Sequence, residues 1–238
     1  MIARLVGDLH AKHSEYHGLL ASGPQPVIQL GDLDISGYSR WSIPEGRQAW
    51  FIDGNHDAFP SLPTGSDRPE EATSGLIHIP RGFVSGNVLF VGGADSVDRD
   101  YRIAGRDWFA EESITERDLQ KVRSIRGGSI EVVISHCAPA SVAAFFLQAL
   151  VGYGYSGTRS ERALDEVLFL HQPRLWVFGH YHVSREVERD GTTFRCLAEG
   201  EYFDVDIPLN PSDFAEGGGK LPGNCRDDPA EQDKFRQS

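Results

Sequence analysis

Short apolar runs, each closed by Gly, Asp, Asn or His, recur along this 238-residue chain. Ile2 to Val6, Val27 to Leu30 and Gln48 to Ile52 read as buried strands. A helical pattern from His13 to Ala21, with Tyr16, Leu19 and Leu20 on one face, joins the first two, and Gly23-Pro24 ends it. The polar, Pro-rich stretch from Ala58 to Ser74 reads as a loop. Leu76 to Ile79 and Val88 to Val91 read as strands, with a turn at Ser85-Gly86-Asn87 following Phe83-Val84. Thr115 opens a helix with an acidic first turn. Glu131 to Ile134 and Leu175 to Phe178 are further strands, with helices over Ser141 to Leu150 and Ser160 to His171 between them. Strand, connection, strand is the rhythm of a parallel sheet built by crossover units.

Beyond Ser184 the pattern alternates as far as Ile207 and contains Arg189-Asp190-Gly191, a hairpin signal. From Asn210 onward come Gly217-Gly218-Gly219, prolines and mixed charges with few apolar residues. The expected organisation is one domain over 1–209 and a loosely attached polar tail over 210–238. There is no internal repeat.

Composition narrows the function. Apolar residues make up 39% and charged residues 24%, enough for a sizeable core. A formal charge of −12 argues against non-specific binding to nucleic acid or an anionic membrane. It leaves room for an anionic small substrate, because bound dications reverse the local field. The three cysteines, Cys137, Cys196 and Cys225, have no metal-ligand spacing, which suggests a reducing compartment. Met1 to Asp8 reads as a first strand rather than a signal peptide, and no run reaches membrane-spanning length. A cytoplasmic location is the expectation; the oligomeric state is open.

The chemistry gathers where the apolar runs end. Asp8-Leu9-His10, Gly31-Asp32, Gly54-Asn55-His56-Asp57, Ser135-His136 and Gly179-His180-Tyr181-His182 each follow a strand. In open parallel sheets, ligands bind beyond the carboxyl ends of the strands, so these groups converge on one crevice. Carboxylate, amide oxygen and imidazole without thiolate suit Mn, Fe, Zn, Co or Ni more than Ca or a structural zinc. The side chains are too many for one tetrahedral ion. They suffice for two ions bridged by a carboxylate, a centre that can bind phosphate and activate a bridging water.

The motif order resembles that of the calcineurin-like metallophosphoesterases over residues 8 to 182. The resemblance implies a four-layer α/β/β/α sandwich of two mixed β-sheets flanked by helices. It also implies a phosphatase or phosphodiesterase using a metal-bridging hydroxide on two divalent or trivalent ions, Mn being the natural choice in vitro. By the same resemblance Asp8, His10, Asp32 and His182 hold the first metal, Asp32 bridges, and Asn55, His136 and His180 hold the second. His56 protonates the leaving oxygen or stabilises its charge, with Asp57 or Asp34 orienting it.

Departures from the phosphoprotein phosphatase branch bear on substrate. Asp34-Ile35-Ser36-Gly37 stands where that branch has Asp-Arg-Gly, and Asp57 replaces a Glu, so its phosphate-gripping Arg is missing there. Arg40, Arg99, Arg102 or Arg106 are candidate substitutes. A small phosphorylated or nucleotide substrate is favoured over a phosphoprotein, and Tyr153, Tyr155, Tyr181 and Trp108 are candidates either to stack on a base or to cover a core edge. A partner-binding scaffold on the same fold is the competing class, but it would be expected to lose ligands and none is missing. Cys137 lacks the Arg six residues on that a cysteine phosphatase loop needs; position 143 is Ala. His13, His17, His78 and His171 lie outside the motifs and are assigned no role.

Overall fold

The computed structural model describes residues 1–34, 42–63, 65–126, 129–147 and 155–214. Its strands, in chain order, are β1 (Ile2–Val6), β2 (Val27–Gln29), β3 (Ala49–Phe51), β4 (Glu70–Thr73), β5 (Leu76–His78), β6 (Phe83–Ser85), β7 (Val88–Val91), β8 (Val132–Ser135), β9 (Leu175–Phe178), β10 (Arg185–Arg189), β11 (Thr192–Cys196) and β12 (Tyr202–Asp206). The helices are α1 (His13–Ala21), α2 (Glu116–Ser124), α3 (Ala140–Phe146) and α4 (Arg159–His171).

The strands form two six-stranded sheets, ordered β12-β1-β2-β3-β5-β4 and β10-β11-β9-β8-β7-β6. Each has a parallel centre and antiparallel edges. The central strands β2, β3, β7, β8 and β9 are buried throughout, which is why they read as unbroken apolar runs. Ala3, Leu5, Ile28, Leu30, Trp50 and Ile52 of the first sheet pack on Val88, Phe90, Val132, Ile134 and Val177 of the second. Tyr16 and Leu20 of α1 cover the outer face of the first sheet. Val122, Val142, Phe146, Leu164 and Val167, from the other three helices, cover the second. The four layers are therefore α/β/β/α, as expected.

Helix starts follow their caps. Thr115 and Asp118 form a capping box on α2, and Thr158 and Glu161 form another on α4. The hairpin at Arg189-Asp190-Gly191 turns with positive φ at Asp190 (50°) and Gly191 (82°), as a tight hairpin requires.

Three features differ from the sequence reading. The stretch read as a loop from Ala58 to Ser74 contains β4, an edge strand whose Glu70 and Glu71 are exposed. Charge on an edge blunts unwanted pairing, and it also erases the apolar alternation by which strands are read. The alternating segment after Ser184 is shared between sheets: β10 and β11 stay with the second, while β12 crosses to pair antiparallel with β1. Arg4 fastens that crossing with a two-pronged contact to Asp204, 2.7 Å at each oxygen. The polar tail expected from residue 210 is described as far as Phe214, and there it is docked. Phe214 is buried and stacks on Trp50 at 4.0 Å between ring centroids. The helix expected to reach Leu150 and the loop from Gly152 run partly outside the described residues, as do Arg40, Tyr153 and Cys225.

Candidate metal centre

The carboxyl ends of β1, β2, β3, β8 and β9 all open on one side of the sandwich, and the motif loops leave from them. These loops reverse so tightly that His10 (φ 43°), Asp32 (58°), Asp34 (60°), His180 (66°) and His182 (53°) take left-handed backbone. Such conformations cost on the order of 1–3 kcal/mol each outside glycine and gather at functional sites. The glycines serve close approach. A Cβ on Gly54 would sit inside contact distance of Asp32 Oδ1 and 2.8 Å from His136 Nε2, and one on Gly179 would strike Asp8 Oδ1.

The side chains meet in two groups, and a third, His10, Asp32 and His56, overlaps both. Asp8, His10 and His182 form one: His182 Nε2 lies 2.9 Å from Asp8 Oδ2 and 3.1 Å from His10 Nε2. Asp32, His136 and His180 form the other. There His136 Nε2 lies 3.3 Å from Asp32 Oδ1 and 3.2 Å from Asn55 Oδ1, with the His180 ring 5.0 Å from that of His136 between centroids. Asp32 stands between the groups, since its Oδ2 is 4.0 Å from His10 Nε2.

Several of these side chains are aimed by the backbone or a neighbour. His180 N donates to Asp8, 3.0 Å to Oδ1 and 3.1 Å to Oδ2, and His56 N donates to Asp32 Oδ1 at 2.8 Å. His136 Nδ1 lies 2.7 Å from the Leu30 carbonyl, which can only accept. Nδ1 therefore carries a proton, and Nε2 is the atom that faces Asp32 and Asn55. A cation taking the place of the proton on Nε2 would have Nε2, Asp32 Oδ1 and Asn55 Oδ1 as ligands together, so the residues fit the ions that the motifs imply.

The electrostatics show a site that favours positive charge beside Asp32, here a proton on His136. Burial works against charge on both Asp32 and His136, yet each supports the other's charge. Asp32 is held well below the usual carboxylate range, and His136 is pushed up to about 10. Burial, with His136 adding to it, pushes His180 down to about 4 and keeps its ring neutral.

His56 and Asp57 part company after Asn55. His56 faces outward, with Nε2 2.8 Å from Arg102 Nη2 and its ring edge-on to His10 at 4.9 Å. Its side chain is open to solvent, but groups beneath it desolvate its inner face. That burial, with the Arg102 charge adding to it, lowers its pKa against the pull of Asp32. Asp57 turns inward. Its Oδ2 accepts from Gly54 N at 2.7 Å and Asp32 N at 3.1 Å, and its Oδ1 accepts from Asp34 N at 2.8 Å. Burial, then the charge of Asp32, pushes Asp57 up to about 7. The group against the His56 ring is Arg102, and Asp57 ties the β2 and β3 loops together.

Beside His56 opens a cavity of about 320 Å³ lined by Asp34, Ala58, Asp98, Arg102, Arg106 and Phe109 among others. Arg102 is held there by Asp98, at 2.8 Å. The sequence placed the charged stretch from Asp95 to Trp108 at the border of the site without choosing among its arginines; Arg102 is the one in contact with His56.

Two supports went unread because they belong to no motif. Asn55 Nδ2 donates to Ser96 Oγ at 3.2 Å, and Ser96 in turn donates to buried Glu112. Burial raises the Glu112 pKa, against the donors aimed at it. Behind β3, Asp53 is buried between His78 (3.1 Å) and Arg81 (2.9 Å to Nε and 2.5 Å to Nη2). An ion pair of that kind leaves no periodic mark in a sequence.

Of the aromatic candidates, Tyr155 and Tyr181 both donate to Glu161, and Tyr181 packs on Phe146 and Phe178. Trp108 Nε1 donates to Glu112 at 3.0 Å. Cys137 is buried, and burial raises its thiol well above the ordinary range.

The family model for calcineurin-like phosphoesterases matches residues 4–184. The chain belongs to that family. Family membership supports metal-dependent hydrolysis of phosphoesters as its general activity and divalent ions as its cofactors. Among solved structures, a phosphopantetheinyl hydrolase from Mycobacterium tuberculosis is similar at 15% identity, over 83% of this chain and 89% of that one, with a TM-score of 0.46. No curated protein matches. No helix among the described residues is long and apolar enough to cross a membrane.

Proposed function

We propose that this phosphoesterase hydrolyses small phosphorylated or nucleotide substrates at a binuclear centre. Asp8, His10 and His182 would hold one ion, Asn55, His136 and His180 the other, and Asp32 would bridge them. The observation that carries this reading is the position of Asp32, whose two oxygens face different ligand groups: Oδ1 toward His136 Nε2 at 3.3 Å and Oδ2 toward His10 Nε2 at 4.0 Å. Two bound ions would neutralise the phosphate and lower the pKa of a water between them.

The protein's own contribution follows from its side chains. Arg102 Nη2 and His56 Nε2 share a hydrogen bond across the cavity mouth, and arginine can only donate. His56 therefore accepts at Nε2. An anionic substrate oxygen competes for the guanidinium and frees Nε2, which takes up a proton from solvent and can then give it to the leaving oxygen. Cys137 and Cys196 are buried free thiols, which supports a reducing, cytoplasmic setting.

The test is hydrolysis of p-nitrophenyl phosphate and bis-p-nitrophenyl phosphate by Mn-reconstituted protein. We expect chelator-sensitive turnover on at least one ester, and comparison of cyclic nucleotides, nucleoside monophosphates and phosphopeptides then ranks the substrates. Fully metal-loaded protein inert on both esters would sink the proposal.

A further inference from the structure

An Asn amide can present either of its ends to a metal centre, because oxygen and nitrogen occupy similar volumes and only hydrogen bonds tell them apart. Only the oxygen ligates a cation. Asn55 is buried with Nδ2 3.2 Å from Ser96 Oγ, yet a hydroxyl could meet either end, donating to the oxygen or accepting from the nitrogen.

Glu112 removes that choice. Its buried carboxylate receives Ser96 N at 2.6 Å, Ser96 Oγ at 2.8 Å and Trp108 Nε1 at 3.0 Å. These are the partners of an ionised carboxylate, which accepts and does not donate. The Ser96 hydroxyl proton is committed to Glu112, so its lone pairs face Asn55 and draw Nδ2. Oδ1 is left toward His136 Nε2, 3.2 Å away.

Resting on the binuclear reading above, the geometry points to Glu112 as a positioning residue for the second ion. Acting through Ser96, it sets which end of the Asn55 amide faces the metal. The direction of two hydrogen bonds is transmitted over a distance that Glu112 does not itself span. Ser96, Trp108 and Glu112 all come from the connection between β7 and α2, the same stretch that brings Arg102 to His56.

The test is Mn²⁺ titration calorimetry on the full chain, with melting of the metal-free protein alongside. The variants are Asn55→Ala, Ser96→Ala, Ser96→Thr and Glu112→Gln. Glu112→Gln is nearly isosteric, but its amide nitrogen donates to Ser96 Oγ, turns the hydroxyl proton toward Asn55 and favours the reversed amide. We expect Glu112→Gln and Ser96→Ala to weaken one of two Mn²⁺ equivalents about 10- to 100-fold, the range seen for groups that orient metal ligands. The other equivalent is unchanged, and Ser96→Thr, which keeps the hydroxyl, restores the first. A purely structural role would instead lower metal-free melting and weaken both equivalents together, and that result overturns the inference. So does wild-type affinity for both equivalents in Glu112→Gln and Ser96→Ala while Asn55→Ala loses one. If Asn55→Ala also keeps both, the binuclear reading itself falls and takes the inference with it. Should Glu112→Gln fail to fold, the Ser96 pair decides by the same criteria.

Discussion

His56 stands between the ligand groups and the cavity: a ring nitrogen lies within 4.8 Å of His10 and Asp32 ligand atoms, and Arg102 meets its Nε2. His56→Ala should keep both metals and slow turnover by about 10²- to 10⁴-fold, the usual contribution of a positioned proton donor. The loss should grow as the leaving group becomes more basic; an equal loss across a series of substituted phenyl phosphates would rule out proton donation. Asp57 makes a different prediction. Asp57→Ala strands the buried amides of Asp32 and Gly54, each costing about 1–3 kcal/mol when left unpaired, and the half-buried amide of Asp34. It should therefore lower melting and metal affinity together, and a variant with wild-type melting but slow turnover would return Asp57 to the chemistry. At this scale the sequence was legible where a motif names a residue. Asp8, Asp32, Asn55 and the histidines could be read because the type and order of their side chains are the signal. What each side chain touches was not legible: nothing in Asn-His-Asp says that the Asp turns inward to amides while the His turns outward to an arginine many residues away.

Elements decide how closely the loops can approach. Gly54 separates β3 from Asn55 and lets the Asp32 and His136 side chains pack over bare backbone. Gly54→Ala should disrupt the Asp32 position and cost metal binding without removing any ligand, which metal analysis of the folded variant can check. At the same strand end, Arg81 is buried against Asp53. Arg81→Met leaves that carboxylate buried with His78 alone, and breaking one side of such a pair typically costs about 3–5 kcal/mol. Denaturant unfolding measures it; a change under about 1 kcal/mol would show that the pair is not structural. The central strands were readable because burial on both faces makes them continuous apolar runs. Strand β4 was not, because an exposed edge has no apolar face to repeat. The Thr115 helix start was readable, since a capping box is a local pattern.

At the scale of the whole molecule, the two sheets are joined by a strand from the end of the domain and by one residue, Phe214, of the stretch that composition had assigned to a tail. Strand β12 leaves the second sheet to pair with β1, and Phe214 closes the space between sheets by stacking on Trp50 and packing on Phe83 and Phe90. One aromatic in a polar stretch carries no periodicity, so the sequence could not show that it docks. The central claim, however, belongs to the centre that both sheets build: two ions share Asp32. Mn²⁺ titration calorimetry of the wild type beside Asp32→Ala tests it most directly. The account predicts two equivalents bound by the wild type, with affinity for both collapsing in the variant because each loses a ligand. A single equivalent in the wild type, or two bound undiminished in Asp32→Ala, would contradict it.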